Sequence, residues 1–144
     1  MDYVAENAAA RQRVLDLVRG LTDDQFRASI GDGWTIAAEL AHLAFWDRTH
    51  IARLRRARDE GLAGPPPLPV GMTDIVNDSA LAGWREIPGA AALQLFEAAS
   101  CDADEYIASL DPETVEGVRA AGSPRLIERF RHRTEHAEAI ERGR

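Results

Sequence analysis

The chain has 144 residues, 45% of them hydrophobic, which is enough for a single domain spanning residues 1–144 with its own core. Its formal net charge of −7 argues against nonspecific binding to nucleic acid or to an anionic membrane, because both depend on clustered basic residues. One cysteine permits no intrachain disulfide, and we expect a cytoplasmic protein because no stretch has the apolar pattern of a leader or a membrane span.

The first half of the sequence predicts two helices separated by a turn. Helix A follows Asp2, which is suited to be its N-cap, and ends at Gly20. A capping-box pattern over residues 22–25 opens a short turn, and glycines then interrupt the chain. Helix B begins at Thr35 and continues without Gly or Pro to about Glu60, which makes it the longest predicted element.

The second half begins with a proline-rich run, residues 61–71, which cannot be helical because consecutive prolines fix the backbone and remove amide donors. Residues 73–84 can add one or two helical turns. Apolar spacing over 93–110 predicts helix C, and helix D begins with Ser123 as its N-cap and continues to Arg142. No segment has the pattern of a strand.

Four helices without a sheet predict an all-α fold, a four-helix bundle with a long crossover between helices B and C. Helix B, at about 25 residues, is about 37 Å long. An extended chain covers about 3.3 Å per residue, so the roughly 28 residues between Glu60 and Gly89 can recross the whole bundle. Helices B and C can therefore run parallel.

Three of the four histidines have the arrangement of a metal site. His132 and His136 are one turn apart on helix D, so a third imidazole from a facing helix would complete the site. In helical projection they border the apolar face of helix D, as His42 borders that of helix B. Two alternatives stay open: exposed histidines without metal, and His50 in place of His42. His50 is about 12 Å further along the axis, so both cannot bind one ion.

Two segments of the chain resemble the DinB-like superfamily of metalloenzymes: GWTIAAELAHLAFWDR at 33–48 and HRTEHAEAI at 132–140. This superfamily includes bacterial thiol-dependent S-transferases and the N-terminal domain of mycothiol-dependent maleylpyruvate isomerases. The resemblance covers essentially the whole chain and implies a four-helix bundle that holds a divalent metal, zinc or nickel in many members. It places the ligands at His42, His132 and His136.

One departure from the family pattern narrows the expected activity. The maleylpyruvate isomerases have glutamate where this chain has His132, so we do not expect isomerase activity. The resemblance instead implies a metal-dependent thiol S-transferase or hydrolase acting on a small electrophile. Mycothiol is the first thiol to test, because all seventeen basic residues are arginine, a bias typical of GC-rich genomes. The non-enzymatic alternative is a bundle that sequesters a small molecule or acts as a homodimer.

Four residues near the predicted metal are candidates for substrate binding. Arg53 and Arg129 align with the histidines of helices B and D and can hold an anionic thiol, the alternative being solvated arginines. Asn77 can hydrogen-bond a substrate or water, the alternative being a turn or cap residue. Trp46 can contact a ligand, although packing in the core is the favoured interpretation.

The remaining polar residues near the histidines have structural interpretations. Asp47 projects into the apolar face of helix B, which predicts a buried hydrogen bond and not a catalytic role. Glu39 and Glu128 lie within a turn of the predicted ligands and can orient an imidazole, although a solvated position is favoured for each. Cys101 is predicted to be a core residue and not a nucleophile.

Overall fold

The computed structural model describes residues 2–144, which are mostly helical. The described part of the chain forms seven α-helices: α1 (Tyr3–Val18), α2 (Asp23–Arg27), α3 (Ile36–Asp59), α4 (Met72–Arg85), α5 (Gly89–Ala108), α6 (Pro112–Ala120) and α7 (Arg129–Gly143). A two-stranded antiparallel hairpin, β1 (Ser29–Gly31) and β2 (Trp34–Thr35), precedes α3, and a 3₁₀ turn over Pro124–Leu126 precedes α7. The predicted all-α class is confirmed. None of the helices across residues 2–144 combines the length and apolarity that crossing a membrane would need.

The predicted helix starts in the first half are confirmed by their capping hydrogen bonds. The Asp2 carboxylate accepts from the amide of Ala5 at the start of α1. Thr22 and Gln25 exchange both hydrogen bonds of a capping box and begin α2. The Thr35 hydroxyl accepts from the third residue of α3, so the long helix starts where its sequence pattern starts.

The structure adds elements that the sequence did not predict. The prediction of no strands is wrong at residues 29–35, where Asp32 and its two flanking glycines have positive φ and form the turn of the hairpin. Residues 73–84 belong to four turns of α4, more than the one or two predicted. Residues 112–120, left without assignment, form α6, with Asp111 as N-cap and a proline at its start.

Helix D begins later than predicted. Ser123 opens a 3₁₀ turn, and the regular helix α7 starts at Arg129. The cause is the buried Asn7 on α1, whose side chain donates to the carbonyl of Ile127 and accepts from the amide of Phe130, both at 2.8 Å. These bonds satisfy backbone groups at a helix end that would otherwise lack partners.

The four long helices α1, α3, α5 and α7 pack against one another in pairs around the core. Leu40 and Phe96, near the starts of α3 and α5, share one buried cluster, whereas Leu54 and Ile107, near their ends, share another. Helices α3 and α5 therefore run parallel, and the long crossover between them makes this arrangement possible.

The crossover helix α4 lies on the first half of α3. Its Trp84 is buried and clusters with Ala38 and Ala41 of α3 and with Trp34 of the hairpin. This contact covers the turn of α3 that precedes His42 with aromatic side chains. The crossover thus builds one wall of the site described next.

Candidate metal centre

The three predicted ligands converge in the structure. His42 on α3 and His132 and His136 on α7 each offer one ring nitrogen, and these nitrogens lie within 4.8 Å of one another. The Nε2 atoms of His42 and His132 are 2.9 Å apart, at hydrogen-bonding distance. His50 is not part of this group, so the geometry favours His42 over its competitor. We call these three histidines the triad.

Two of the triad imidazoles are held in the neutral form. Burial, followed by the nearby His136 and Arg129, lowers the pKa of His42 to about 3. Burial and then the charge of Arg129 place the pKa of His132 well below its usual value. A neutral imidazole has the lone pair that a metal ion binds, so His42 and His132 are in the state that a metal ligand requires at neutral pH.

The second nitrogen of each ring has a different environment. Nδ1 of His136 contacts the carboxylate of Glu39. Glu39 is buried, whereas the sequence favoured a solvated position for it. Nδ1 of His132 accepts a hydrogen bond from Nη2 of Arg129 at 2.9 Å. Nδ1 of His42 is buried, with no hydrogen-bond partner among the described residues. A carboxylate on Nδ1 leaves Nε2 free for a metal, the arrangement common in zinc sites.

The triad fits a divalent ion, with one local rearrangement. Three imidazole nitrogens facing a cavity are a donor set that suits zinc or nickel and leaves a position for substrate. Because Arg129 donates to Nδ1, the proton of His132 is on Nε2 and bonds to His42. If that Nε2 held a metal ion, the proton of His132 would have to be on Nδ1, which could then no longer accept from Arg129.

Two tryptophans form an apolar wall beside the triad. The rings of Trp34 and Trp84 each meet the His42 ring edge-on at 5.3 Å between centroids. Trp84 was missed as a site residue, because it lies 42 positions after His42 and only the path of the crossover brings it close. These rings remove water from one side of the site and strengthen its electrostatic interactions.

A cavity of about 740 Å³ extends from the triad along α3 and α7. The four predicted substrate-binding residues all line it: Trp46, Arg53, Asn77 and Arg129. Its volume is typical of small-molecule sites, which are mostly apolar with a few placed polar groups.

The family match agrees with this site. A family model described as the DinB superfamily matches residues 6–138 of the 144-residue chain. The chain belongs to the DinB superfamily. No curated protein and no solved structure matches it. The DinB match spans both helices that carry the triad, and together the two findings support a divalent-metal site.

Trp46 and Asn77 join two walls of the DinB cavity. Trp46 is buried, as the favoured interpretation predicted, and its Nε1 donates to Oδ1 of Asn77 at 2.9 Å. Asn77 lies inside α4, so the alternative of a turn or cap residue is wrong. Both side chains line the cavity, and their contact with substrate stays a prediction.

Arg129 belongs to a buried ionic network of this DinB chain. Its Nε donates to Oδ1 of Asp47 at 2.7 Å, and the other oxygen of Asp47 accepts from Arg133 at 2.9 Å. Arg133 also binds Asp104 at 2.7 Å. The predicted buried hydrogen bond of Asp47 is confirmed. The guanidinium of Arg129 already has three protein acceptors, so substrate binding by Arg129 stays a prediction that this geometry does not favour.

Two further expectations differ from the structure. Glu128 is buried, not solvated, and pairs with Arg131 at 2.6 Å instead of orienting a histidine. Cys101 is half-buried at the edge of the core, where its sulfur accepts from the Arg11 guanidinium at 2.7 Å. Neither residue contacts the triad or lines the cavity beside it.

Proposed function

We propose that this DinB protein is a divalent-metal-dependent enzyme acting on a small electrophile. Zinc or nickel would be held by His42, His132 and His136. The nucleophile would be a low-molecular-weight thiol, with mycothiol as the first candidate, or water. The observation that supports this proposal most strongly is the convergence of three imidazoles on the wall of a cavity large enough for a small molecule.

The chemistry divides between the ion and the protein. When bound, a zinc ion lowers the pKa of a coordinated thiol or water, so that the nucleophile is available at neutral pH. His42 and His132 have lone pairs available for the ion, because burial disfavours protonation of these two imidazoles. Trp34 and Trp84 exclude water from one side of the nucleophile. Glu39 fixes the ring orientation of His136.

In the transferase reaction, the thiol sulfur forms a bond to the electrophilic carbon of the substrate. The bond from that carbon to its leaving group breaks, and the leaving group departs with the electron pair. The thiol proton passes to solvent through the open side of the cavity. In the hydrolase reaction, water takes the place of the thiol.

Turnover by the metal-loaded protein tests this proposal. Zinc- and nickel-loaded protein is incubated with a panel of alkyl halides, epoxides and activated esters, with mycothiol, glutathione or no added thiol. We expect product with at least one nucleophile, and a loss of roughly 100-fold or more in His136→Ala, since effects of 2.7–4 kcal/mol are typical for a lost electrostatic contribution at a reacting centre. Arg56→Gln, an exposed change on α3 outside the cavity, is the matched control.

No product with any nucleophile, in protein that retains stoichiometric metal, contradicts the enzyme proposal. Tight binding of an electrophile without turnover then favours the sequestering bundle. Equal turnover by wild type and His136→Ala contradicts the role of the triad, whatever the nucleophile.

A further inference from the structure

Arg53 is a cavity-lining cation without an acidic partner. It is half-buried on α3, and its Nη2 donates to the carbonyl of Pro66 in the crossover at 2.7 Å. Its Nη1 lies 3.3 Å from Nδ1 of His50. Within residues 2–144, no carboxylate lies within ion-pair distance of this guanidinium. Such a half-desolvated charge is stabilised when an anion occupies the adjacent space.

The other charged residues that line the cavity each contact a group of opposite charge. Arg125 donates to both carboxylate oxygens of Glu135 at 2.9 Å, and both side chains are exposed at the rim. Arg129 is paired with the buried Asp47. Among the arginines that line the cavity, Arg53 is therefore the one that has no carboxylate partner within residues 2–144. Arg53 lacks a carboxylate partner in a chain whose net charge is −7, so its position does not reflect an overall surplus of basic residues.

The surroundings of Arg53 support a positive local potential. His50, between Arg53 and Trp46, is neutral, because burial and the charges of Arg129, Arg53 and Arg125 lower its pKa to about 2. A neutral Nδ1 accepts from Arg53 and holds the guanidinium at the end of the cavity. The carbonyl of Pro66 in the crossover, which accepts from Nη2, is a second contact that fixes the guanidinium.

The distance between the triad and Arg53 defines the shape of a ligand. His42, Trp46 and His50 lie on successive turns of α3, so the rise from His42 to His50 is about 12 Å. The Trp46 ring lies between these two ends, 5.5 Å from the His50 ring. A ligand that reaches from the triad to Arg53 is thus elongated and passes an apolar surface.

We propose that Arg53 is the anion subsite of this cavity and that the electrophilic substrate is an elongated small-molecule carboxylate. Its reactive end lies at the triad, its apolar middle lies against Trp46, and its carboxylate binds Arg53. The position of the reactive end rests on the proposed function. The carboxylate subsite depends on Arg53 and the cavity alone, so it is testable without metal or turnover.

Calorimetric titration with octanoate and 1-octanol, which share a chain and differ in charge, tests the subsite. We expect octanoate to bind about tenfold more tightly than 1-octanol, in both the metal-free and the zinc-loaded protein. The reason is that one charge-assisted hydrogen-bonded pair contributes about this much affinity. Arg53→Gln removes this preference, and Arg53→Lys restores part of it. Arg56→Gln, which removes the same charge from an exposed position on the same helix, retains it.

Equal binding of octanoate and 1-octanol by the wild type overturns the subsite, as does an equal loss in Arg53→Gln and Arg56→Gln. Loss of the preference in Arg125→Gln but not in Arg53→Gln also overturns it. Failure of metal binding leaves these titrations interpretable, so the two proposals fail separately. If octanoate still binds at saturating mycothiol, the result supports a carboxylate on the electrophile. If mycothiol displaces octanoate, Arg53 binds the thiol, and the proposal of a carboxylate on the electrophile is overturned.

Discussion

His136 differs from the other two triad imidazoles because its second nitrogen contacts a carboxylate. Glu39 comes from α3, three residues before His42, and reaches across to α7. The spacing of Glu39 and His42 is visible in the sequence. The partner of Glu39 is not, because a contact between positions 97 apart depends on the register of two antiparallel helices. The sequence therefore predicted that the three histidines come together, but not which of them the carboxylate orients.

Glu39→Gln is expected to weaken metal binding roughly 10- to 100-fold, the range observed when an outer carboxylate of a metal site is removed. The amide keeps the size of the side chain but loses its negative charge and half of its accepting capacity. The measurement is the zinc dissociation constant by competition with a chromogenic chelator. Glu128→Gln, which changes another buried carboxylate away from the triad, is the control and should bind zinc as the wild type does.

His50, which is not part of the triad, makes the free energy of unfolding depend on pH. Its pKa in the folded protein is about 2, below the value of about 6.5 in an unfolded chain. As the pH falls below about 6.5, the unfolded state takes up a proton that the folded state does not, so the folded protein loses stability. His50→Gln removes this loss. The Tm of the variant minus that of the wild type should therefore increase as the pH falls from 7.5 to 5. Both are measured by thermal melts without metal. A difference that does not change with pH contradicts the assignment.

At the scale of elements, the crossover determines the shape of the site. Its proline run was recognisable from residues 61–71, and its ability to recross the bundle followed from chain length alone. The length of α4 did not follow, because the helix is stabilised by the contact of Trp84 with α3 and not by strong local caps. The late start of α7 likewise depends on the distant side chain of Asn7.

Asn77→Ala is expected to loosen α4 from α3. The substitution leaves the Nε1–H of the buried Trp46 without its acceptor, which costs about 1–3 kcal/mol. Amide hydrogen exchange should become faster over Met72–Arg85 while α1 and α7 stay protected. Ser79→Ala, which changes an exposed residue of the same helix, should leave exchange unaltered. Unchanged exchange in Asn77→Ala would show that the hydrogen bond does not hold the crossover in place.

At the scale of the whole molecule, the triad lies beside a buried ionic network that joins the long helices. Asp47 of α3 binds Arg129 and Arg133 of α7, and Arg133 continues to Asp104 of α5. Arg11 of α1 completes the connection through Asp104. Removing one member of such a network leaves an uncompensated buried charge, so the network fixes the relative positions of the helices.

The sequence predicted one member of this network and not its extent. Asp47 stood out because a carboxylate on an apolar helix face needs a partner. Arg133 lies between two histidines on an arginine-rich helix, where nothing local distinguishes a buried arginine from an exposed one. The triad was predictable because its spacing, its position beside the apolar faces and a family resemblance all indicated the same three residues. Arg53, the cavity-lining arginine without a carboxylate partner, could be recognised only from the structure, because the structure shows the partners of Arg125 and Arg129.

The metal content of the purified protein tests the central claim, a metal centre at the triad, most directly. The protein is purified without chelators, and its transition metals are determined by mass spectrometry alongside His136→Ala and His50→Ala. We expect about one equivalent of zinc or nickel in the wild type and in His50→Ala, and a strong loss in His136→Ala, because two imidazoles do not complete the site. Less than about half an equivalent of any transition metal in the folded wild type, or equal content in all three proteins, would contradict a metal centre at the triad.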